Sequence, residues 1–219
     1  MAKTWKSSST LNGAMIKLQG KLPREVYVAC SGGVDSMAVV DFLKNNHNVT
    51  VCDFDHGTAH SRTAQKFVAQ YCTENDLPVI MGTIGYAQKA PGQSSEEFWR
   101  EQRYEFLHGI NAQVITAHHL DDCVETWVWS SMHGTGKIIP YRNKNVIRPF
   151  RGTRKRDFQM WADLKNVPHV EDDTNKDTCY TRNYIRHEMM PHVLRVNPGI
   201  HKVIAKKVKE DEHCTREFI

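Results

Sequence analysis

The sequence predicts an α/β protein built on a doubly wound parallel sheet, with a small helical lobe toward the C-terminus. Three observations predict it: short apolar runs alternate with helical periodicities, residues of chemical character fall where those runs end, and strand signals stop after Pro149. A basic segment from Leu11 to Leu18 reads as a short helix, and Glu25 to Cys30 as a buried strand. Ser31-Gly-Gly-Val-Asp-Ser36 then opens a helix whose apolar positions include Met37, Val40, Phe42 and Leu43. A second strand, Asn48 to Asp55, ends at His56-Gly57 and precedes a helix from Ser61 to Asn75. Val79 to Thr83 is a third strand, Glu96 to Gly109 a helix, Gln113 to Ala117 a fourth strand, and Asp121 to Met132 the helix after it. The remainder is basic and punctuated by Pro168, Pro191 and Pro198, which divides the chain into residues 1–150 and a helical lobe, residues 151–219.

A chain of 219 residues with 40% hydrophobic content buries a full core without staples. The six cysteines (Cys30, Cys52, Cys72, Cys123, Cys179 and Cys214) include no CxxC pair, which argues for reduced thiols rather than a zinc ribbon or a disulfide framework. The first 24 residues carry five basic groups and no acid, but lack the apolar run of a secretory signal, and no later stretch reaches transmembrane length. The expectation is a cytoplasmic protein without membrane contact. The net charge of +4 is uneven: residues 1–150 hold 15 basic and 14 acidic groups, residues 151–219 hold 14 and 11. This mild basicity is compatible with a nucleic-acid partner without requiring one.

In a doubly wound sheet, ligands collect beyond the carboxyl ends of the strands, where three segments draw notice. Ser31 to Ser36 follows a strand and opens a helix, so its backbone N–H groups and the positive end of the helix dipole can hold phosphate. Gly32 and Gly33 allow close approach, and Ser31 and Ser36 add hydroxyls. The lysine of a Walker A loop is missing, and Asp35 stands where a magnesium ion against a polyphosphate needs a carboxylate. That arrangement suits pyrophosphate as the leaving group. The bland alternative is a strand-to-helix turn capped by Ser31 or Asp35. In Ala117-His-His-Leu-Asp-Asp-Cys-Val-Glu-Thr126, Asp122 and Glu125 are three apart and share a helix face. They can converge on one cation, such as the ammonium of an amine nucleophile, or merely complement the helix dipole.

SGGxDS after a buried strand resembles the PP-loop ATP pyrophosphatase superfamily, a Rossmann-like fold whose members adenylate a carbonyl oxygen and displace AMP with a nucleophile. HHxDDxxET is similar to the signature of the tRNA(Ile)-lysidine synthetase family. The likeness continues through Phe54-Asp-His-Gly57, Arg100-Glu-Gln-Arg-Tyr104, Gly134-Thr-Gly136, Ile147-Arg-Pro149, Glu171 to Asn175, and Tyr180 to Arg186. The resemblance implies ATP-dependent joining of L-lysine to C2 of the wobble cytidine in a CAU-anticodon isoleucine tRNA, through an adenylated cytidine, with Mg2+ required. It implies ATP and Mg2+ at Ser31, Gly32, Gly33, Asp35 and Ser36, with Asp35 as the metal ligand and Asp55 and His56 near the adenosine. It implies lysine at Asp122 and Glu125. Arg103 and His118 are candidates for stabilising charge during adenylation, or else a helix-surface ion pair and a loop hydrogen-bonder. Arg148, Arg154, Arg182 and Arg186 are candidates for tRNA phosphates, or else solvated charge. Trp127 and Trp129 are either a base-stacking surface or core. Rival readings are a PP-loop tRNA thiolase, which the missing CxxC disfavours, and an inactive nucleotide- or RNA-binding module.

Overall fold

The computed structural model describes residues 8–11, 14–171 and 178–216. The segment expected to be a helix at Leu11 to Leu18 is instead part of a hairpin of β1 (Ser8–Leu11) and β2 (Ala14–Lys17). Leu11 pairs with Ala14 across Asn12-Gly13, a dipeptide that favours two-residue hairpin connections and outweighs the helical spacing of Leu11, Met15 and Leu18. Thr153 clamps the second strand: its hydroxyl accepts from Lys17 N at 2.8 Å and donates to Lys17 O at 3.0 Å.

The main sheet contains β3 (Glu25–Ala29), β4 (Asn48–Asp55), β5 (Val79–Thr83), β6 (Val114–Ile115), β7 (Arg142–Asn143) and β8 (Val146–Ile147), in the order β5-β4-β3-β6-β8-β7. All neighbours are parallel except the edge pair β7–β8. The fourth expected strand is thus only two residues long, and β7 and β8 were not foreseen. The strand order reverses between β3 and β6, the switch point at which a parallel sheet opens a crevice. Around the sheet lie α1 (Val34–Lys44), α2 (Ala59–Glu74), α3 (Ser95–Gly109), α4 (Leu120–Met132) and α5 (Lys155–Lys165). Then come α6 (Thr181–Tyr184), a π-helical turn at Ile185–Met189, α7 (Met190–Val196) and α8 (Ile200–Arg216).

Packing crosses residue 150 without a break. Phe158, Trp161 and Val167 join Val26, Val28, Met37 and Val40 in the first core, and Trp161 Nε1 donates to Asp41 Oδ2 of α1 at 2.9 Å. A second core gathers Leu120, Cys123, Val124 and Val128 of α4 with Ile185, Met190, Ile200, Ile204 and Val208. Helix α4 therefore has its N-terminus at the sheet edge and its apolar face under the C-terminal helices. Among the described residues, no helix is long and apolar enough to cross a membrane.

Candidate active site

Between β3 and α1 the chain makes the glycine turn that the sequence anticipates. Gly32 has φ +79°, a left-handed backbone that favours glycine, whereas a Cβ there would meet Val68 only at an ordinary 3.4 Å, so the backbone and not the passage of α2 calls for glycine. The Ser36 hydroxyl donates to Gly33 O at 2.9 Å and accepts from Ser31 N at 3.2 Å, holding the loop from within. Neither Ser31 nor Asp35 caps the helix: α1 has no side-chain cap, while α2 and α3 are capped by Thr58 and Ser94. The first-turn N–H groups of α1 are left for an anion.

This loop forms one wall of a cavity of about 640 Å³ at the carboxyl ends of β3, β4 and β6. Ser31, Gly33, Asp35, Ser36, His56, Arg103, His118, Asp122, Arg182 and Arg186 all line it. Three buried polar atoms with no partner among the described residues, Asp35 Oδ1, His56 Nδ1 and Arg103 Nε, belong to these lining residues. Buried polar groups are rarely left unpaired, so the three mark places where a ligand completes the site. The His56 ring lies 5.2 Å from Phe54 and 6.2 Å from Trp99. Burial, reinforced by nearby Arg103, lowers its pKa to about 4, which makes it an uncharged aromatic wall at neutral pH. The guanidinium of Arg103 sits 5.6 Å from the Tyr104 ring centre and has no carboxylate partner among the described residues, so it is not a surface ion pair.

On the opposite wall, α4 begins with a reciprocal cap. His119 Nδ1 accepts from Asp122 N at 3.2 Å, and Asp122 Oδ2 accepts from His119 N at 2.9 Å. Nε2 of the ring lies 3.5 Å from Asp35 Oδ2, and although burial would lower the pKa of His119, Asp122 and Asp35 outweigh it and raise it above the usual histidine value. His119 thus stands between the loop carboxylate and the helix carboxylate, a role that sequence reading missed because His118 drew the attention. Asp122 Oδ1 accepts from Arg182 Nη2 at 2.7 Å and Arg186 Nη2 at 3.3 Å. Glu125 takes Arg186 in a bidentate pair, Nε at 2.8 Å and Nη2 at 2.9 Å, with Arg182 Nε at 3.8 Å. Burial would raise the pKa of Asp122, but His119 and Arg182 outweigh it and hold the carboxyl well below the usual range.

Residues 7–193 match the family model ATP_bind_3, described as a PP-loop domain. The chain belongs to the PP-loop domain family. A tRNA(Ile)-lysidine synthase from Thermotoga sp. (strain RQ2) is 32% identical over 211 residues, covering 89% of this chain and 51% of that relative. Another, from Thermosipho africanus (strain TCF52B), is 35% identical over 208 residues, covering 84% and 47%. The chain spans about half the length of the curated relatives it matches. An NH3-dependent NAD synthetase structure from Campylobacter jejuni aligns at TM-score 0.47 and 15% identity over 87% of this chain and 86% of that one.

Several residues around the PP-loop stand differently from expectation. The Asp55 carboxylate faces its own turn, accepting from Gly57 N at 2.8 Å and from the Ser61 hydroxyl, and does not line the cavity. Asp53, not foreseen, does line it. It is 2% exposed, accepts from Gln65 Nε2 at 2.8 Å, and is pushed up to about 6 by burial. His118 is hydrogen-bonded to Thr116 Oγ1 at 2.8 Å, and burial, helped by Arg182, Arg148 and Arg103 against the pull of Asp122, holds it well below its usual pKa. It is therefore a neutral hydrogen-bonding group and not a source of positive charge.

The four arginines expected at tRNA phosphates all have protein partners, although the side chains of Arg182 and Arg154 remain 44% and 30% exposed. Arg148 is 3% exposed and donates to Pro140 O and the Tyr104 hydroxyl, so no phosphate reaches it. Arg154 forks onto Asp121 at 3.2 and 3.3 Å, and Arg182 and Arg186 fill the acid pair. Trp127 packs in the second core, whereas Trp129 is 44% exposed against the His133 ring. Of the expected segment Glu171 to Asn175, Glu171 lines the cavity and residues 172–175 lie outside the described residues.

Proposed function

We propose that this PP-loop chain adenylates the C2 oxygen of the wobble cytidine in a CAU-anticodon isoleucine tRNA and then joins L-lysine to that carbon. The observation that carries the reading is a single cavity with an uncapped, anion-accepting helix start on one wall and, on the other, Asp122 with Arg182 and Arg186, whose guanidiniums also hold Glu125, which does not itself line the cavity. The names of the curated relatives supply the RNA.

In this reading the α1 N-terminus and the Ser31–Ser36 backbone bind the ATP polyphosphate, and neutral His56 offers its ring face to the adenosine. Asp35, with one buried oxygen unpartnered, fits a hard divalent cation and would hold Mg2+, which neutralises charge on the departing pyrophosphate. Attack of the cytidine oxygen on the α-phosphorus expels pyrophosphate, and Arg103 faces the crowded phosphate with an N–H that nothing else uses. The lysine amine then attacks C2 and AMP departs.

An ammonium with a solution pKa of about 10.4 must first lose a proton. Asp122 is a poor acceptor, because one oxygen is committed to the helix cap and the carboxyl is held far below its ordinary pKa. Glu125 bonds only to arginine guanidiniums, which the incoming ammonium replaces, so Glu125 takes the proton. Sulfur chemistry finds less support: of the cavity thiols, burial pushes Cys30 up to about 11 and Cys52 up to about 12, far from the thiolate.

The test supplies protein, ATP, Mg2+ and radiolabelled lysine with isoleucine tRNA(CAU) or methionine tRNA transcripts. Label is expected in the isoleucine tRNA. AMP release that depends on a sulfur donor instead of lysine would contradict the reading, and no AMP under any condition would leave a binding module.

A further inference from the structure

The exposed cations of the C-terminal helices include Arg182, which is paired with Asp122, Arg195 of α7, and a run of lysines on α8. Its apolar positions Ile200, Ile204 and Val208 are 3%, 0% and 1% exposed and pack under α4 in the second core. At 100° per residue, Lys202, Lys206 and Lys209 fall on the opposite side of the helix, and all three are exposed. Lys207 is exposed as well but lies on the flank of the helix, outside this stripe. The acids of this stretch do not cancel the stripe. Asp211 turns inward to the fully buried Arg151 at 2.6 Å, and Glu210 reaches Lys206 only at 4.0 Å.

The helix is also tied to the catalytic wall. His201 Nε2 lies 3.0 Å from Asp121 Oδ1, and Asp121 is the residue beside Asp122. Three ammonium groups rising over about 10 Å of helix, at 1.5 Å per residue, match the spacing of successive phosphates better than they match a single small anion.

We propose that Lys202, Lys206 and Lys209 form the track on which the phosphodiester backbone of the RNA substrate lies while its reactive base enters the cavity. This rests on the RNA-modifying reading above and adds exposed ammonium groups to arginines that are already hydrogen-bonded within the protein as a source of salt-dependent affinity. The stripe faces away from the core and carries no aromatic residue, so it contributes position and affinity without base sequence.

The test titrates fluorescent isoleucine tRNA(CAU) against the wild-type chain and the triple variant Lys202→Gln, Lys206→Gln, Lys209→Gln, over a range of salt, alongside ATP affinity and lysine incorporation at saturating RNA. An Arg62→Gln, Lys66→Gln variant on the exposed side of α2 serves as the charge control. The triple variant is expected to bind RNA about tenfold or more weakly, with the slope of log K against log salt reduced by about 2 to 3, roughly one per lysine. ATP affinity is expected to be unchanged, and the control near wild type. An unchanged slope and affinity in the triple variant, while the wild type still labels RNA, overturns the track alone. A stripe-dependent slope in a protein that never transfers lysine supports the track and overturns the lysidine reading. Equal losses in triple variant and control reduce the effect to net charge and overturn the track.

Discussion

At the phosphate loop, Asp35 Oδ1 lies buried without a partner and α1 has no cap, whereas at the acid pair every carboxylate oxygen is already engaged. The first wall is preorganised for an anion, and nothing has to leave before ATP arrives. The second is an acid pair filled by the protein's own arginines, so in the proposed reading an ammonium enters by exchange. Leaving those acids empty would cost more, since uncompensated buried carboxylates are expensive. His119, between Asp35 and Asp122, links the two walls.

The contrast is broken most severely at Asp35. Asp35→Asn is expected to slow pyrophosphate release about a thousandfold, because in the proposed reading Asp35 would be the carboxylate that holds the metal, while the Arg186–Glu125 pair is untouched. Rapid-quench measurement of labelled pyrophosphate checks this. A loss of less than about tenfold would mean that the loop backbone alone carries the polyphosphate.

A smaller effect separates the cavity floor from both walls. Burial disfavours the charged form of Asp53 and pushes its pKa up to about 6, above the ordinary 3.8. The folded state therefore binds the proton more tightly than the unfolded state does. Stability from this group is full below pH about 4, falls as pH rises, and is lost above about 6. Asp53→Asn is expected to raise stability at pH 7 by on the order of 2 kcal/mol and to change little at pH 4. Thermal melts at the two pH values measure it, and an equal shift at both would remove titration as the cause.

The parts of this molecule that could be read from sequence are those whose signal is local. The run Glu25 to Ala29 and the turn Ser31 to Ser36 carry their own apolar pattern and glycines, and both lie where expected. Strands of two residues, such as Val146–Ile147, have no period to detect, although burial at 0% and 1% shows how firmly the sheet holds them. The site divides similarly. Asp122 and Glu125 were found because three residues on a helix bring side chains together. Their partners Arg182 and Arg186 lie about 60 positions away, and their charge alone looked the same as charge meant for RNA.

The central claim is that one wall performs adenylation and the other performs amine transfer, and Glu125→Gln tests it most directly. In a single turnover with isoleucine tRNA(CAU), ATP, Mg2+ and labelled lysine, pyrophosphate release and lysine incorporation are followed together. The account predicts pyrophosphate release within about threefold of wild type and lysine incorporation down by about a hundredfold, the scale of a lost general base. Equal loss of both steps, or incorporation at the wild-type rate, would contradict it.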